Sequence, residues 1–254
     1  MTKPRLSVVL LFVLVVLTAV PGAGGRTVTA GPSAGQQVVL GSSVLGRWIV
    51  GIERGNPKAA VKVVVVGCIH GNECAGIRVV RALEEARLPA GIDLWLVPDA
   101  NPDGRAALTR VNAHGVDLNR NFPWLWTPSP QAQNPHYSGP SPVSETESRI
   151  LYALLEKVRP RLVIWYHQAL AVVDMSGGDV ALERQYSRLV GLRLKRLPRY
   201  PGSATSWANH AFPGTTSFVV ELPRGPLTAA GAHRHVLAVL ALARTLTAGS
   251  RPAG

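Results

Sequence analysis

Short apolar, β-branched stretches alternate along the chain with stretches in which apolar residues recur at helical spacing. Residues 62–69 have the composition of a strand buried on both faces, and residues 73–86 have the spacing of a helix. This alternation predicts an α/β layered domain with a central sheet. The predicted strands are 47–53, 62–69, 93–97, 162–166 and 217–222, and the predicted helices are 73–86, 144–158, 182–197 and 227–247.

A long stretch between residues 99 and 142 has no clear periodicity and contains seven prolines. Loops of this length inside a compact domain are usually functional or disordered. Ser144 and Glu147 have the spacing of a capping box, which predicts that the next helix begins there. No internal repeat and no second domain are evident.

The N-terminus has the pattern of an export signal. Lys3 and Arg5 precede an apolar run over residues 6–20, and small residues follow it. The run is short for a transmembrane helix, which needs about 20 apolar residues, although an uncleaved anchor stays open as an alternative. We therefore expect a signal or anchor over residues 1–25, a flexible lead-in over 26–40 and a catalytic domain over 41–250. The mature protein is expected to be secreted or in the cell envelope, with membrane contact only if the signal is retained.

The chain carries a formal net charge of +12, and its basic residues are scattered rather than grouped in one block. No nucleic-acid-binding motif or aromatic interleaving accompanies them. We interpret the surplus as a solvated surface suited to a polyanionic cell wall, and we expect no nucleic-acid partner. The protein is expected to be a monomer.

The chemistry begins with His70 and Glu73, which directly follow the apolar strand. Imidazole nitrogen and carboxylate oxygen suit Zn²⁺, and a third protein ligand would leave one coordination position free. His167 follows the apolar strand at 162–166 and is the best candidate for that ligand. The histidines at 114, 136, 210, 233 and 235 lie in loops, in a turn or at an exposed helix start and are left out.

Hydrolysis of an amide also needs a general base. Glu221 ends the apolar strand 217–222, where desolvation would raise its pKa toward neutrality. The alternative, a solvated carboxylate at a strand end, is less attractive after so apolar a run. Arg105, Arg110 and Arg120 lie in the loop region, where guanidinium groups could bind carboxylates or developing oxyanions.

Cys68 and Cys74 are the only cysteines and bracket the His70–Glu73 segment. In an exported protein they could form a disulfide that fixes this loop. They could equally be two small buried residues packed beside the site. The sequence leaves both interpretations open.

Several motifs together resemble the zinc carboxypeptidases of the carboxypeptidase A type, and among them the bacterial murein peptide amidases. The motifs are HGNE at residues 70–73, NPDG at 101–104, GVDLNRNFP at 115–123, the strand-end His167 and ELP at 221–223. The resemblance implies an α/β fold in which a mixed, mostly parallel central sheet of about eight strands is flanked by helices, with the site at the C-terminal ends of the strands. Murein peptide amidases cut the γ-D-glutamyl–diaminopimelate bond of cell-wall peptides.

The resemblance also implies roles for individual residues. His70, Glu73 and His167 match the zinc ligands, Glu221 the catalytic base and Arg110 the arginine that stabilises the oxyanion. Asn119 and Arg120 match the pair that binds the substrate's terminal carboxylate. Tyr200 lies in the region of the tyrosine that closes over substrate, but Pro201-Gly202 changes the spacing there. Residues 168–170 and 204–206 would line the side-chain pocket, and they differ from the digestive enzymes.

The leading hypothesis is an exported zinc metallopeptidase that hydrolyses an amide bond next to a carboxylate-bearing residue, with a cell-wall peptide as the favoured substrate. The zinc would activate water and polarise the carbonyl. One alternative is an N-acyl amino acid hydrolase resembling aspartoacylase, which shares HGNE and a DLNR segment. Another is a catalytically silent wall-binding homologue.

Overall fold

A central sheet lies between two layers of helices in the computed structural model, which describes residues 35–130 and 134–249. Seven strands are found in this part of the chain, close to the eight expected. The strands are β1 (Gln36–Ser42), β2 (Trp48–Gly55), β3 (Val61–Val66), β4 (Ile92–Val97), β5 (Leu162–Asp174), β6 (Arg193–Lys195) and β7 (Thr216–Pro223). The helices are α1 (Ile77–Glu85), α2 (Pro102–Ala107), α3 (Thr146–Val158), α4 (Val180–Val190), α5 (Ala204–Ala211) and α6 (Ala229–Gly249).

The sheet is mixed and mostly parallel, as predicted. Its order is β1-β2-β4-β3-β5-β6, and β7 also pairs with β5. The β1–β2 and β2–β4 pairs are antiparallel, whereas β3–β4, β3–β5, β5–β6 and β5–β7 are parallel. The parallel strands β3, β5 and β7 therefore direct their C-terminal ends to the same edge, where ligands bind in open α/β sheets.

Both faces of the sheet are buried, which explains the continuous apolar runs in its strands. Along β3, Val63 and Val65 pack in one core with α1, α4 and α6. Val64 and Val66 point to the opposite face and pack with α3 and α5. Alternate side chains of β3 are packed in the two cores, so the strand is held from both sides. The residues that follow β3 therefore start from a fixed position.

Several predicted boundaries are wrong. The first strand in the described residues, β1, begins at Gln36, inside the segment predicted as a flexible lead-in, and it pairs with β2 from Gln36 to Ser42 with one irregularity between Val39 and Gly41. The predicted helix over 182–197 ends at Val190, since Gly191 adopts φ 72° and closes it, and the short strand β6 follows. The predicted strand 162–166 continues to Asp174 as β5, with an irregular register between Ala169 and Val172.

Two predictions at helix starts are also corrected. The helix predicted from Glu73 begins at Ile77, after a single 3-10 turn at Cys74–Gly76. The capping box of Ser144 and Glu147 does not form, because Glu145 is the N-cap residue of α3 and makes no side-chain capping bond. Glu147 instead accepts hydrogen bonds from the Val44 backbone N–H and from Asn112.

The unpatterned stretch 99–142 contains α2 and a 3-10 turn at Leu118–Arg120. The predicted export signal lies outside the described residues. Across residues 35–130 and 134–249, none of the helices combines the length and apolar character that a bilayer span requires.

Candidate metal centre and active site

The segment from His70 to Glu73 forms a tight loop just beyond the end of β3. Cys68 and Cys74 form a disulfide across it, with their Cα atoms 4.7 Å apart, which decides between the two interpretations left open by the sequence. Gly71 packs so closely against α2 that a Cβ there would lie 1.9 Å from the carbonyl carbon of Gly104. The disulfide and this close packing hold His70 and Glu73 in one fixed arrangement.

The structure brings the three candidate ligands together. The Nδ1 atoms of His70 and His167 lie 3.0 Å apart, and Glu73 Oε2 lies 3.0 Å from the first and 3.1 Å from the second. No other group of three or more histidine, cysteine or acidic side chains in the described residues has metal-site spacing. A cation with bonds of about 2.0–2.2 Å can bridge three atoms at these separations.

The pKa values of His167 and Glu73 are shifted toward the protonation states that bind a metal. Burial lowers the pKa of His167 to about 4, so its imidazole is neutral near pH 7. Burial alone would raise the pKa of Glu73, but hydrogen bonds to His167 and His70 hold it below its usual range. Burial would lower the pKa of His70, but the charge of Asp117 and hydrogen bonds to Asp117 and Glu73 raise it. Because a histidine binds a divalent cation in its neutral form, a metal at this site would compete with a proton for His70. Two imidazoles and one carboxylate nonetheless make a donor set that fits zinc.

Asp117 is a site residue that sequence reasoning missed. Its side chain is fully buried, and its Oδ1 atom lies 3.0 Å from His70 Nε2. Its Oδ2 accepts a hydrogen bond of 3.0 Å from Arg110 Nε and lies 3.3 Å from His136 Nδ1. A carboxylate on the outer nitrogen of a ligating histidine fixes the ring and its tautomer. The only sequence signal was an acidic residue between Val116 and Leu118, two buried apolar positions.

Glu221 lies on β7 directly beside His167 on β5, because the two residues are register partners in the parallel pair. Its Oε2 is 3.4 Å from the backbone N–H of Leu170. Burial, followed by the negative charge of Glu73, raises the pKa of Glu221 to about 6. A carboxylate with a pKa this close to neutrality can accept and return a proton near pH 7.

A cavity of about 310 Å³ opens at the ligand cluster and contains the remaining predicted site residues. Arg110 donates hydrogen bonds to Asp117 and, at 2.8 Å, to Glu73 Oε1. Asn119 accepts a hydrogen bond from the Ala204 backbone N–H through its side chain. Tyr200 is half exposed, and its ring lies 4.1 Å from the guanidinium carbon of Arg120.

Arg120 is the most unusual charge in this cavity. It is 8% exposed, burial lowers its pKa, and it has no ion-pair partner among the residues the structure describes. Its Nη1 donates a hydrogen bond of 2.8 Å to the Asn119 carbonyl. A nearly buried guanidinium without a counter-ion is expected to bind an anionic ligand group.

Another cavity residue was not predicted as a site residue. His136, which the sequence analysis left out as a loop residue, lies on the cavity wall and contacts Asp117. Gln168, one of the residues expected to line the side-chain pocket, lies on the cavity wall, and its Oε1 accepts a hydrogen bond of 3.0 Å from the Ala75 N–H. Arg105, by contrast, does not line this cavity and pairs with Asp99.

Residues 26–190 match a family model described as zinc carboxypeptidase. The chain belongs to the zinc carboxypeptidase family. This result confirms the resemblance seen in the sequence motifs, and it identifies zinc as the cofactor for which the His70, Glu73 and His167 group is suited.

Similar proteins include two murein peptide amidases. Murein peptide amidase A of Escherichia coli strain K12 is 29% identical over 116 residues, which cover 41% of this chain and 48% of that protein. Murein peptide amidase A of Vibrio campbellii is 31% identical over 171 residues, covering 61% and 66%. The chain thus spans about half to two thirds of the length of these curated relatives.

A solved structure gives the same fold. The murein-tripeptide amidase of Escherichia coli O157 superposes with a TM-score of 0.67 at 24% identity, over 85% of this chain and 94% of that one. At this level of identity the likeness shows the fold, and it confirms the predicted zinc carboxypeptidase architecture.

Proposed function

We propose that this family member is an exported zinc-dependent hydrolase that cleaves an amide bond next to a carboxylate-bearing residue. The favoured substrate is a cell-wall peptide cut at its γ-D-glutamyl–diaminopimelate bond. The observation that carries the proposal is the convergence of His70, Glu73 and His167, whose ligand atoms lie within 4.8 Å of one another. The named activity of the two murein peptide amidases supports the substrate class.

Zinc held by these three side chains would supply an electrophile that polarises the scissile carbonyl and makes water more acidic. In the proposed mechanism, Glu221 takes a proton from the attacking water and passes it to the leaving nitrogen. Its raised pKa of about 6 suits both steps. Asp117 holds His70 in the required orientation and is a positioning residue.

The cationic side chains of the cavity have separate proposed roles. Arg110 stabilises the negative charge that develops on the carbonyl oxygen, because its guanidinium lies against the ligand Glu73. Arg120 and Asn119 bind the terminal carboxylate of the substrate. Tyr200, which stacks on Arg120, covers that carboxylate when substrate is bound.

Export is proposed from the N-terminal sequence pattern and from the nature of the substrate. Export directed by the signal-like segment 1–25 would bring the protein to murein peptides, and the net charge of +12 suits an anionic wall. The disulfide between Cys68 and Cys74 is also consistent with an oxidising compartment. We propose a monomer whose partner is the peptide substrate.

The direct test compares two products. The zinc-loaded protein should release diaminopimelate from L-alanyl-γ-D-glutamyl-meso-diaminopimelate faster than it releases C-terminal residues from ordinary α-peptides, and a chelator should abolish both. Faster release from ordinary peptides would change the proposal to a general carboxypeptidase. Release of neither product with zinc present would favour the silent homologue.

The aspartoacylase-like alternative receives less support, because the matched family is that of the zinc carboxypeptidases. Turnover of acetyl- or succinyl-amino acids in place of peptides would restore it.

A further inference from the structure

A second cleft, of about 670 Å³, opens beside the main cavity at the ligand cluster. Glu73, Gln168 and Ala169 line both spaces, so the two meet at the candidate metal centre. The main cavity contains Arg120 and the other residues assigned to the terminal carboxylate. The proposed substrate has its scissile amide at the metal centre and its carboxylate-bearing amine half in the main cavity. Its acyl half must therefore extend elsewhere. The second cleft, called here the acyl-side cleft, is the adjoining space.

Hydrogen bonds from Gln168 connect the wall of the acyl-side cleft to the ligand loop. Its Nε2 donates to the carbonyls of Pro223 and Gly225, at 3.0 and 2.8 Å. Its Oε1 accepts from the Ala75 N–H, next to the disulfide. A single amide side chain thus joins the end of β7 and the turn after it to the loop after β3.

Two of the side chains that line this cleft are cationic. Arg105 and Arg224 both line it, but Arg105 is paired with Asp99. Arg224 is exposed and has no ion-pair partner within the described part of the chain. It lies three positions beyond Glu221, at the end of β7. The carboxylate of Glu73, the only acidic group lining the cleft, is the one assigned to the metal.

We propose that the acyl-side cleft binds the acyl half of the substrate and that Arg224 recognises a carboxylate carried by that half. This inference rests on the proposed function and specifies it. In a γ-glutamyl amide the free α-carboxylate is four bonds beyond the scissile carbonyl carbon, at a distance of roughly 5 Å in an extended chain. An ordinary α-peptide has a further peptide group on that side and no carboxylate. Arg224 is therefore a specificity determinant for γ-glutamyl over α-peptide bonds, through the fork geometry that suits carboxylates.

The experiment uses two substrates that differ only at this group. One is L-alanyl-γ-D-glutamyl-meso-diaminopimelate, and the other is the same tripeptide with the α-carboxylate of the glutamyl residue amidated. We compare kcat/KM for the zinc-loaded wild type, Arg224→Gln, Arg224→Lys and a control, Arg188→Gln, which removes an exposed arginine of α4. Binding of both ligands is also measured in a Glu221→Gln background, so that a result is obtained even when turnover is slow.

The wild type should prefer the free acid over the amide by about tenfold, the size expected for one partly exposed charge-assisted contact. Arg224→Gln should lose this preference because its kcat/KM falls for the acid and not for the amide. Arg224→Lys should keep part of the preference, and Arg188→Gln should match the wild type. The same pattern is expected in the binding constants.

Equal use of acid and amide by the wild type, or an equal loss on both substrates in Arg224→Gln, would overturn the role of Arg224. These outcomes leave the proposed function intact, since the tripeptide would still be cleaved. Conversely, failure to cleave either tripeptide counts against the proposed function, and the binding ratio then decides the role of Arg224 independently.

Discussion

The metal-ligand region and the substrate-facing region of this protein are held in place very differently. His70 and His167 are almost fully buried, and Asp117, the disulfide and the close contact at Gly71 fix their surroundings. Tyr200 is half exposed, and Arg224 is exposed and unpaired in the described structure. The first region is arranged before any ligand arrives, whereas side chains in the second can move until substrate orders them. Changes in the first should therefore alter metal affinity or chemistry on every substrate, and changes in the second should depend on the substrate used.

The largest effect is expected from Glu221→Gln. Loss of a positioned general base removes about 10²–10⁴-fold of rate, and we expect at least about 10³-fold lower kcat because the same group serves both proton transfers. Zinc content should be unchanged, since Glu221 is not among the three proposed ligands. The measurement is kcat together with metal analysis, and Glu85→Gln, an exposed change at the end of α1, is the control. Activity close to that of the wild type would remove Glu221 from its role.

Arg120→Gln sharpens the comparison from the substrate side. We expect roughly 100-fold lower kcat/KM for substrates with a free terminal carboxylate, because truncating a buried charged partner typically costs several kcal/mol. A substrate with an amidated terminus should be slow in both proteins and nearly insensitive to the change. An equal loss on both substrates would indicate that Arg120 supports the fold rather than the carboxylate.

Asp117→Asn tests the metal side of the comparison. Loss of a carboxylate partner from a ligating histidine typically weakens metal affinity by about 10–100-fold. We expect that range for zinc, measured by competition with a chromophoric chelator. Asp179→Asn is the matched control, because Asp179 only caps α4 and asparagine caps helices equally well. Unchanged affinity in Asp117→Asn would mean that the loop alone orients His70.

The smallest effect is expected at Glu183, which is fully buried on α4 with one oxygen lacking a hydrogen-bond partner. Burial, followed by the charge of Asp174, raises its pKa from 4.5 to about 7. The folded state therefore binds more protons than the unfolded state between these values, and stability falls as pH rises from about 4.5 to 7. The full shift corresponds to about 3 kcal/mol, and relaxation should reduce it to about 1–2 kcal/mol.

Glu183→Gln removes this titration. Thermal unfolding of the variant and the wild type should give similar stability at pH 5, and the variant should be the more stable at pH 8. A constant difference between the two proteins at every pH would contradict the shift at Glu183.

The core of the fold followed directly from the sequence, whereas its periphery did not. Strands β3, β4 and β7 were predicted within a few residues because they are mostly buried and mostly apolar. Strand β1 was missed because it is mostly exposed or half-buried and lies at the sheet edge. The short β6 was absorbed into a predicted helix, although Gly191 was available as a helix-terminating signal.

The site, like the fold, was predictable from the sequence in part. His70, Glu73, His167 and Glu221 follow or end apolar strands, a position that the sequence itself reveals, and the structure brings them together; their roles stay predictions. Asp117 and His136 could not be predicted in the same way. Their importance depends on which side chains the fold places beside them, and a loop sequence carries no periodicity from which to infer that.

The central claim is that His70, Glu73 and His167 hold one zinc ion, and zinc binding measures it most directly. We predict one zinc per chain in the wild type. His167→Ala should bind zinc more than about 100-fold more weakly, a larger loss than is typical when a residue that hydrogen-bonds to a ligand is removed. His114→Ala, which removes a largely exposed imidazole, should bind zinc as the wild type does. Zinc bound by His167→Ala with the stoichiometry and affinity of the wild type would contradict the account.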